Sequence, residues 1–332
     1  FPIALISIIL AISSVPTWRR REKLNIDYLG FFISVIFISG FVLGFMEAPN
    51  WGWTSLPIMG LFLLSIISLI TFIGWEKKIP HPLVELTLFK NLTFTTLFSV
   101  LLIIQAVAIV FVFLAIFLQN VLHYSPLMAG LLLLPAMVPI MLMAPVGGHL
   151  RDKYGPTLPM FCGALLVVLS LIWIAIFSHN RGYAWLFPGL LVYGIGMPLI
   201  LSGIMATVMN MVNAQQRGMA SAIFNCARQF GNTIGLALLT GLLASVNKWQ
   251  LNSFLHHSPV PLSRLKEQQI DGLLVQSDQA MKAIAHLSLA HIELLKTAAL
   301  NAYTNAFSMT LLAAAILAFL SLFLILKIPR KQ

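Results

Sequence analysis

Apolar residues in this chain fall into nine long runs with short polar breaks between most of them: about 1–16, 28–47, 56–75, 92–119, 126–148, 157–178, 184–211, 217–246 and 303–326. Every run but the first is long enough to cross the hydrocarbon layer as a helix, which takes about 20 residues. A helix satisfies its own backbone N–H and C=O groups, as lipid demands. Strands of a membrane barrel would be about half as long and would alternate apolar with polar side chains. The pattern therefore predicts an all-α polytopic membrane protein with nine spans. The chain starts at Phe1, inside an apolar run, without a basic stretch ahead of it or a small-residue cleavage site behind it. A signal peptide fits that poorly. The first run reads as a helix whose beginning is missing, and the chain as a fragment.

Composition agrees with the pattern. The 332 residues are 59% hydrophobic and 9% charged, where soluble domains carry about 25% charged residues. Lys and Arg outnumber Asp and Glu by 20 to 10. In so apolar a chain that excess orients spans against a membrane; no nucleic-acid surface, phosphate loop or nucleophile constellation accompanies it. Two cysteines exclude a disulfide scaffold and a Cys-based metal site. Cys162 and Cys226 fall inside spans and read as small buried thiols. The eight histidines show no ligand spacing.

The short loops give the excess a direction. Arg19, Arg20, Arg21 and Lys23, then Lys77, Lys78 and Lys90, then Arg151 and Lys153, then Arg217, then Lys327, Arg330 and Lys331 fall on one side under strict alternation of nine spans. The opposite short loops hold one basic residue, Arg181. Thirteen to one places the first side, and the C-terminus, in the cytoplasm. The long polar segment 247–302 then lies outside. In it Ser263 could cap a short helix reaching Gly272, and Ser277 or Asp278 could start a second one running into the last span.

Polar groups within the spans are few. Gln105 lies mid-span, and Asn225, Arg228, Gln229 and Asn232 share one face of the eighth run. Arg228 stands 11 residues past Arg217, about 16 Å along a helix axis. A charge at that depth usually faces a bundle interior or a wet cavity. The cluster reads as a transport cavity or gate face, or as interhelical hydrogen bonds that hold the bundle. Gly194, Gly196 and Pro198 would let the seventh run bend and pack closely, and Gly231 with Gly235 forms a small-xxx-small pair. Methionines (Met137, Met141, Met143, Met197, Met205, Met209, Met211) suit either an adaptable pocket or ordinary packing. All ten acids lie at span ends or in loops.

The loop between the fifth and sixth runs reads Gly148-His149-Leu150-Arg151-Asp152-Lys153-Tyr154-Gly155. Its acid can accept from the first N–H groups of the following helix, and the flanking cations can pair with that acid or with acids on neighbouring helices. Gly-x-Leu-x-Asp-Lys-x-Gly here resembles the loop signature of the major facilitator superfamily, in the copy carried by the second half of the fold. Pro156 and Thr157 stand where that family often has basic residues. Leu118-Gln119-Asn120-Val121-Leu122-His123-Tyr124-Ser125-Pro126, with Ala129, Gly130 and Pro135, is similar to the outer turn of the 14-helix drug:proton antiporters of the EmrB/QacA type, with His123 in place of a usual Gly. Arg217-Gly218 with Ala220, Ser221, Asn225, Arg228, Gln229, Gly231 and Gly235 resembles the start of their thirteenth helix. Pro82-Leu83 with Leu86, Leu88, Phe89, Lys90, Asn91 and Phe94 resembles the linker before their second bundle.

The resemblance implies a partial major facilitator fold. Residues 1–16 would be the remnant of helix six, 17–91 a basic loop with two linking helices and a linker, and 92–332 the complete C-terminal six-helix bundle with its outer loop 247–302. It implies a non-enzymatic, proton-driven exporter of lipophilic or cationic drugs in the bacterial inner membrane. Such a protein works by alternating access, with Gly148, Arg151, Asp152, Lys153 and Gly155 as the gating loop. No cofactor beyond the proton gradient is expected; the partners are substrate, membrane lipid and an adaptor whose existence the sequence leaves open. The family's coupling acids are common in the first bundle, which this chain would lack, and the chain alone is expected to be inactive. A transporter of narrower cargo (amino acid, siderophore or lipid) and a non-transporting scaffold or receptor are the alternative readings.

Overall fold

A computed structural model describes residues 27–80, 82–257 and 289–328. Ten α-helices occupy them: α1 (Tyr28–Trp51), α2 (Leu56–Glu76), α3 (Leu92–Ala108), α4 (Val110–Asn120), α5 (Pro126–Leu132), α6 (Leu134–Tyr154), α7 (Thr157–Phe177), α8 (Tyr183–Met211), α9 (Arg217–His257) and α10 (Leu289–Leu326). Two short 3-10 turns, Leu86–Lys90 and Ser178–Asn180, complete the described elements. α3 and α4 form one crossing interrupted at Ile109, and α5 and α6 one interrupted at Leu133. Eight stretches among the described residues are thus long and apolar enough to span a membrane. The run 1–16 lies outside the described residues.

Local chemistry sets most boundaries. Asp27 caps α1 by accepting from Gly30 N–H at 3.0 Å, Asn91 caps α3 by accepting from Thr93 N–H at 3.0 Å, and Ser125 caps α5 ahead of Pro126. Such caps contribute about 1 kcal/mol each. Gly52 ends α1 at φ +89° and Gly155 ends α6 at φ +79°. Gly155 has ψ 171°, a region almost closed to other residues. Gly155→Ala is expected to cost about 1–3 kcal/mol from backbone strain alone, because a Cβ there meets nothing within 4 Å. A lowered thermal midpoint in detergent, measured against Gly148→Ala in the same preparation, checks this.

The eighth span runs on beyond expectation. The sequence pattern ends it near 246 and has a helix from Ser277 or Asp278 running into the last span; α9 continues to His257, and α10 is described as helix from Leu289. A sparse apolar stripe explains the extra turns: Leu251 on α9, and Leu295, Ala299 and Ala302 on α10, are buried at helical spacing. The positions Ser263, Gly272, Ser277 and Asp278 lie outside the described residues.

α1 and α2 form a hairpin that leans on the bundle through α9. Phe230 of α9 meets the rings of Phe37 and Phe41 at 5.6 and 5.0 Å. Within the bundle α8 packs against both α6 and α7, α7 against α10, and α3 against α9 and α10. In their most apolar stretches the α3/α4, α7, α8 and α10 crossings bury 44–56% of residues, against 11–22% for α1, α2, α5/α6 and α9. The first set forms the protein-enclosed core, and the second offers most of its surface to the surroundings. Cys226 falls on α9 of the second set, and Cys162 on the outward side of α7. Cys162 and Cys226 are exposed, contrary to the reading of them as buried thiols. A helix apolar all round carries no sequence signal for which side meets protein.

Candidate functional site

The basic end of α6 is helix rather than loop. Gly148 to Tyr154 remain helical, and the turn to α7 is confined to Gly155 and Pro156. Gly155 N–H donates to the Arg151 carbonyl at 2.8 Å. Nothing earlier breaks the helix; Gly155 and Pro156 do so together. Arg151 Nε donates to Asp152 Oδ1 at 2.9 Å, so the acid pairs with its neighbour instead of capping α7, which begins without a side-chain cap. Lys153 Nζ lies 5.1 Å from the Tyr154 ring centre. Gly148 has open space around its Cα. Its neighbour Gly147, which the sequence reading passed over, is the one pressed against α8, where a Cβ would meet Ser202 Oγ at 2.5 Å.

Glycines carry the closest helix contacts. A Cβ on Gly194 would overlap the Ala136 carbonyl of α6. Gly196 and Gly163 form a reciprocal contact between α8 and α7, where a Cβ on either would stand 2.7 or 2.6 Å from the other's carbonyl oxygen. Pro198 is buried one turn on, and α8 continues through it. On α9, Gly231 and Gly235 lie against Leu102, Gln105 and Ala106 of α3. Gln105 is buried at this seam, at 5% exposure.

The polar residues of α9 are elsewhere on that helix. Asn225, Arg228 and Gln229 are exposed and Asn232 is half-buried. At about 100° per residue they occupy one arc, and Gly235, seven residues past Arg228, falls at its Arg228 edge. Gln105 is thus buried in the α3–α9 seam, beside the Arg228 edge of the open polar arc. At the opposite end of the bundle, Asn305 bridges His179 Nε2 (2.8 Å) and Gln250 Oε1 (2.9 Å), and Arg181 donates to Asn301. These bonds tie the Ser178–Asn180 turn to α9 and α10.

Residues 3–236 match the family model of the Major Facilitator Superfamily. The chain belongs to the major facilitator superfamily. The multidrug resistance protein Stp of Mycobacterium tuberculosis is 28% identical over 265 residues, 79% of this chain and 49% of its own length. The MFS-type transporter YhcA of Bacillus subtilis is 30% identical over 244 residues, 72% of this chain and 45% of its own. The B. subtilis multidrug transporter protein MdtP is 23% identical and covers 97% of this chain and 63% of its own length. The chain thus spans about half the length of several curated relatives it matches. A crystal structure of a bacterial homolog to the human lysosomal transporter Spinster, inward-facing and occupied, superposes with a TM-score of 0.51. It is 16% identical and covers 90% of this chain and 62% of that one. This major facilitator chain accordingly belongs to a family of multi-pass membrane proteins, and its described residues form a helical bundle.

Among the described residues the structure also buries one acid, which the sequence reads only as a span end. Glu76, at the end of α2, is 4% exposed; one of its oxygens faces the Val84 N–H at 3.5 Å and the other has no partner. Its position in the sequence, beside Lys77 and Lys78, reads as a solvated span end. Burial comes from the linker folding back over it, a tertiary event.

Proposed function

We propose that the protein exports lipophilic, often cationic, compounds by alternating access driven by the proton gradient, as a member of the 14-helix EmrB/QacA-type branch. The observation that carries this reading is the open polar arc of α9, with Arg228 about 16 Å along the helix from Arg217 in a chain of transporter family. A guanidinium at membrane depth belongs to a wet path or a protein interior rather than to lipid. Relatives named for multidrug resistance, and for tetracenomycin C resistance and export in Streptomyces glaucescens, support the choice of cargo.

In this reading Asn225, Arg228, Gln229 and Asn232 line the path, with Gln105 behind them. Gly148, Arg151, Asp152, Lys153 and Gly155 form the gate at the basic end. Gly194, Gly196, Pro198, Gly231 and Gly235 hold the helices in register while two bundles rock about the central site. The thirteen-to-one bias of basic residues supports a bacterial inner-membrane location with a cytoplasmic C-terminus.

Ethidium efflux from cells expressing the complete coding sequence tests the proposal. Efflux is expected to stop when an uncoupler collapses the proton gradient; efflux that continues overturns proton coupling. Competition among unrelated lipophilic cations is expected, and a single tight competitor would favour the narrower-cargo reading instead.

A further inference from the structure

Two carboxyl groups meet where the ends of the α1–α2 hairpin come together. Asp27, the cap of α1, and Glu76, the last residue of α2, converge on Gly30. A Cβ there would overlap Asp27 Oδ2 and stand 3.3 Å from Glu76 Oε1. Gly30 is buried and puts no side chain between them. The two acids are unequally served. Asp27 Oδ1 accepts from Gly30 N–H at 3.0 Å and from Trp75 Nε1 at 3.1 Å, and Oδ2 accepts from Trp75 Nε1 at 3.2 Å. Glu76 has one distant donor, Val84 N–H at 3.5 Å from Oε2, while Oε1 is enclosed and has none. At 4% exposure, Glu76 has also lost the solvent that would stabilise its charge.

No described cation answers it. Lys77 and Lys78 beyond the end of α2, Tyr28 of α1, Lys90 of the linker, and Arg217 and Cys226 of α9 are all exposed. Glu85 of the linker accepts from the Gln216 amide. None of these lysines, nor Arg217, is in ion-pair contact with Glu76. The charge that bears on Glu76 is Asp27, of like sign. An ionised carboxylate, buried without a donor and facing a second carboxylate, is the least favourable state open to this side chain. His81 of the linker lies outside the described residues and enters below as a control.

We infer that this hairpin end is a proton-binding site, in which Glu76 carries a proton on Oε1 and donates it to Asp27 Oδ2. Asp27, with its donors from Gly30 and Trp75, remains the anion. The proton comes from solvent and returns to it, and no other covalent bond changes. Once ionised, Glu76 faces Asp27 without a donor, and the linker that encloses it must lift to admit water. That linker passes from Val84, on Glu76, to Glu85, whose side chain is bonded to Gln216 and whose N–H points at Met219 Sδ near the start of α9. The proton therefore fixes the join between hairpin and bundle. Docking is complete where a solvated carboxyl would also hold its proton, and it is lost as pH rises. Through that loss the docked-to-lifted ratio falls about tenfold per pH unit, the slope of one proton. Export need not be driven by protons for this site to hold one.

Amide hydrogen exchange of the linker around Val84 tests this, with the protein in nanodiscs from about pH 5 to about pH 9 and rates corrected for the intrinsic pH dependence of exchange. Protection is expected at the acid end and is expected to be lost with a one-proton slope as pH rises. Glu76→Gln, whose amide can donate to Asp27 at every pH, is expected to keep the linker protected throughout. Asp27→Asn removes the like charge and gives ionised Glu76 a donor, so the pH dependence is expected to flatten. His81→Ala is expected to behave as the unsubstituted protein does. Protection that does not vary with pH, the same variation in Glu76→Gln, or a variation that disappears with His81 overturns the inference. So does protection at high pH that returns on adding sodium, which would put a metal cation where the proton is placed. If Glu76→Gln fails to fold, Asp27→Asn decides: an unaltered pH dependence there overturns the site.

Discussion

Gly235→Leu is expected to destroy the bundle as a monodisperse species. The added Cβ would overlap the Ala106 carbonyl oxygen and stand 2.5 and 2.7 Å from its Cα and carbonyl carbon. These are backbone atoms of a neighbouring helix, so no side-chain rotation relieves the clash. Overpacking a tight site typically costs about 1–3 kcal/mol where side chains can yield, and here α3 and α9 must separate along their length. Against a typical total stability of about 5–15 kcal/mol, a loss beyond 3 kcal/mol is expected to leave much of the protein aggregated. Gly241→Leu, two turns on and with nothing within 4 Å of its Cβ position, is the matched control. Fluorescence-detected size exclusion reads both. Equal monodispersity of the two variants would show that the α3–α9 seam does not hold the fold.

Arg228→Ala is expected to reduce drug efflux at least tenfold, a loss of about 1.4 kcal/mol or more in transport-competent interaction, without lowering the thermal midpoint. The two readouts separate because Arg228 is exposed and forms no ion pair with another described residue. Removing a charge from membrane depth lifts a cost of a few kcal/mol rather than adding one. Arg228→Lys keeps the charge but not the planar fork, and an intermediate efflux rate is expected. Wild-type efflux from Arg228→Ala in the complete protein would show that the polar arc of α9 is not on the transport path.

The span positions were legible because lipid leaves one spectrum of solutions: long apolar runs, broken by Gly, Pro and charge. Leu56, Leu92, Pro126, Thr157 and Arg217 begin helices where the pattern puts them. Rotation about each helix axis was far less legible. Gly147 and Gly148 are adjacent, yet one meets Ser202 and the other meets open space. Cys162 on α7 was illegible for the same reason: a uniformly apolar helix gives no hydrophobic direction. The polar arc on α9 was readable because charged and amide groups supplied that direction. Glu76 was not, since its burial depends on the linker near Leu83 and Val84 returning over the α2 end. For Asp152 the sequence left two partners open, and the adjacent guanidinium of Arg151 outcompetes the helix terminus across the turn.

The glycine seams impose an order on biogenesis. Gly194 joins α8 to α6, and Gly231 with Gly235 joins α9 to α3; in each pair the earlier helix leaves the ribosome long before its mate. Membrane helices have no hydrophobic force drawing them together once inserted. α3 therefore waits in lipid with Gln105 unsheathed until α9 has been made, across an interval of more than 100 residues of synthesis. The nascent intermediate with its amide facing hydrocarbon is the state that a membrane chaperone or quality-control protease would meet, and the seam closes that window only when α9 arrives.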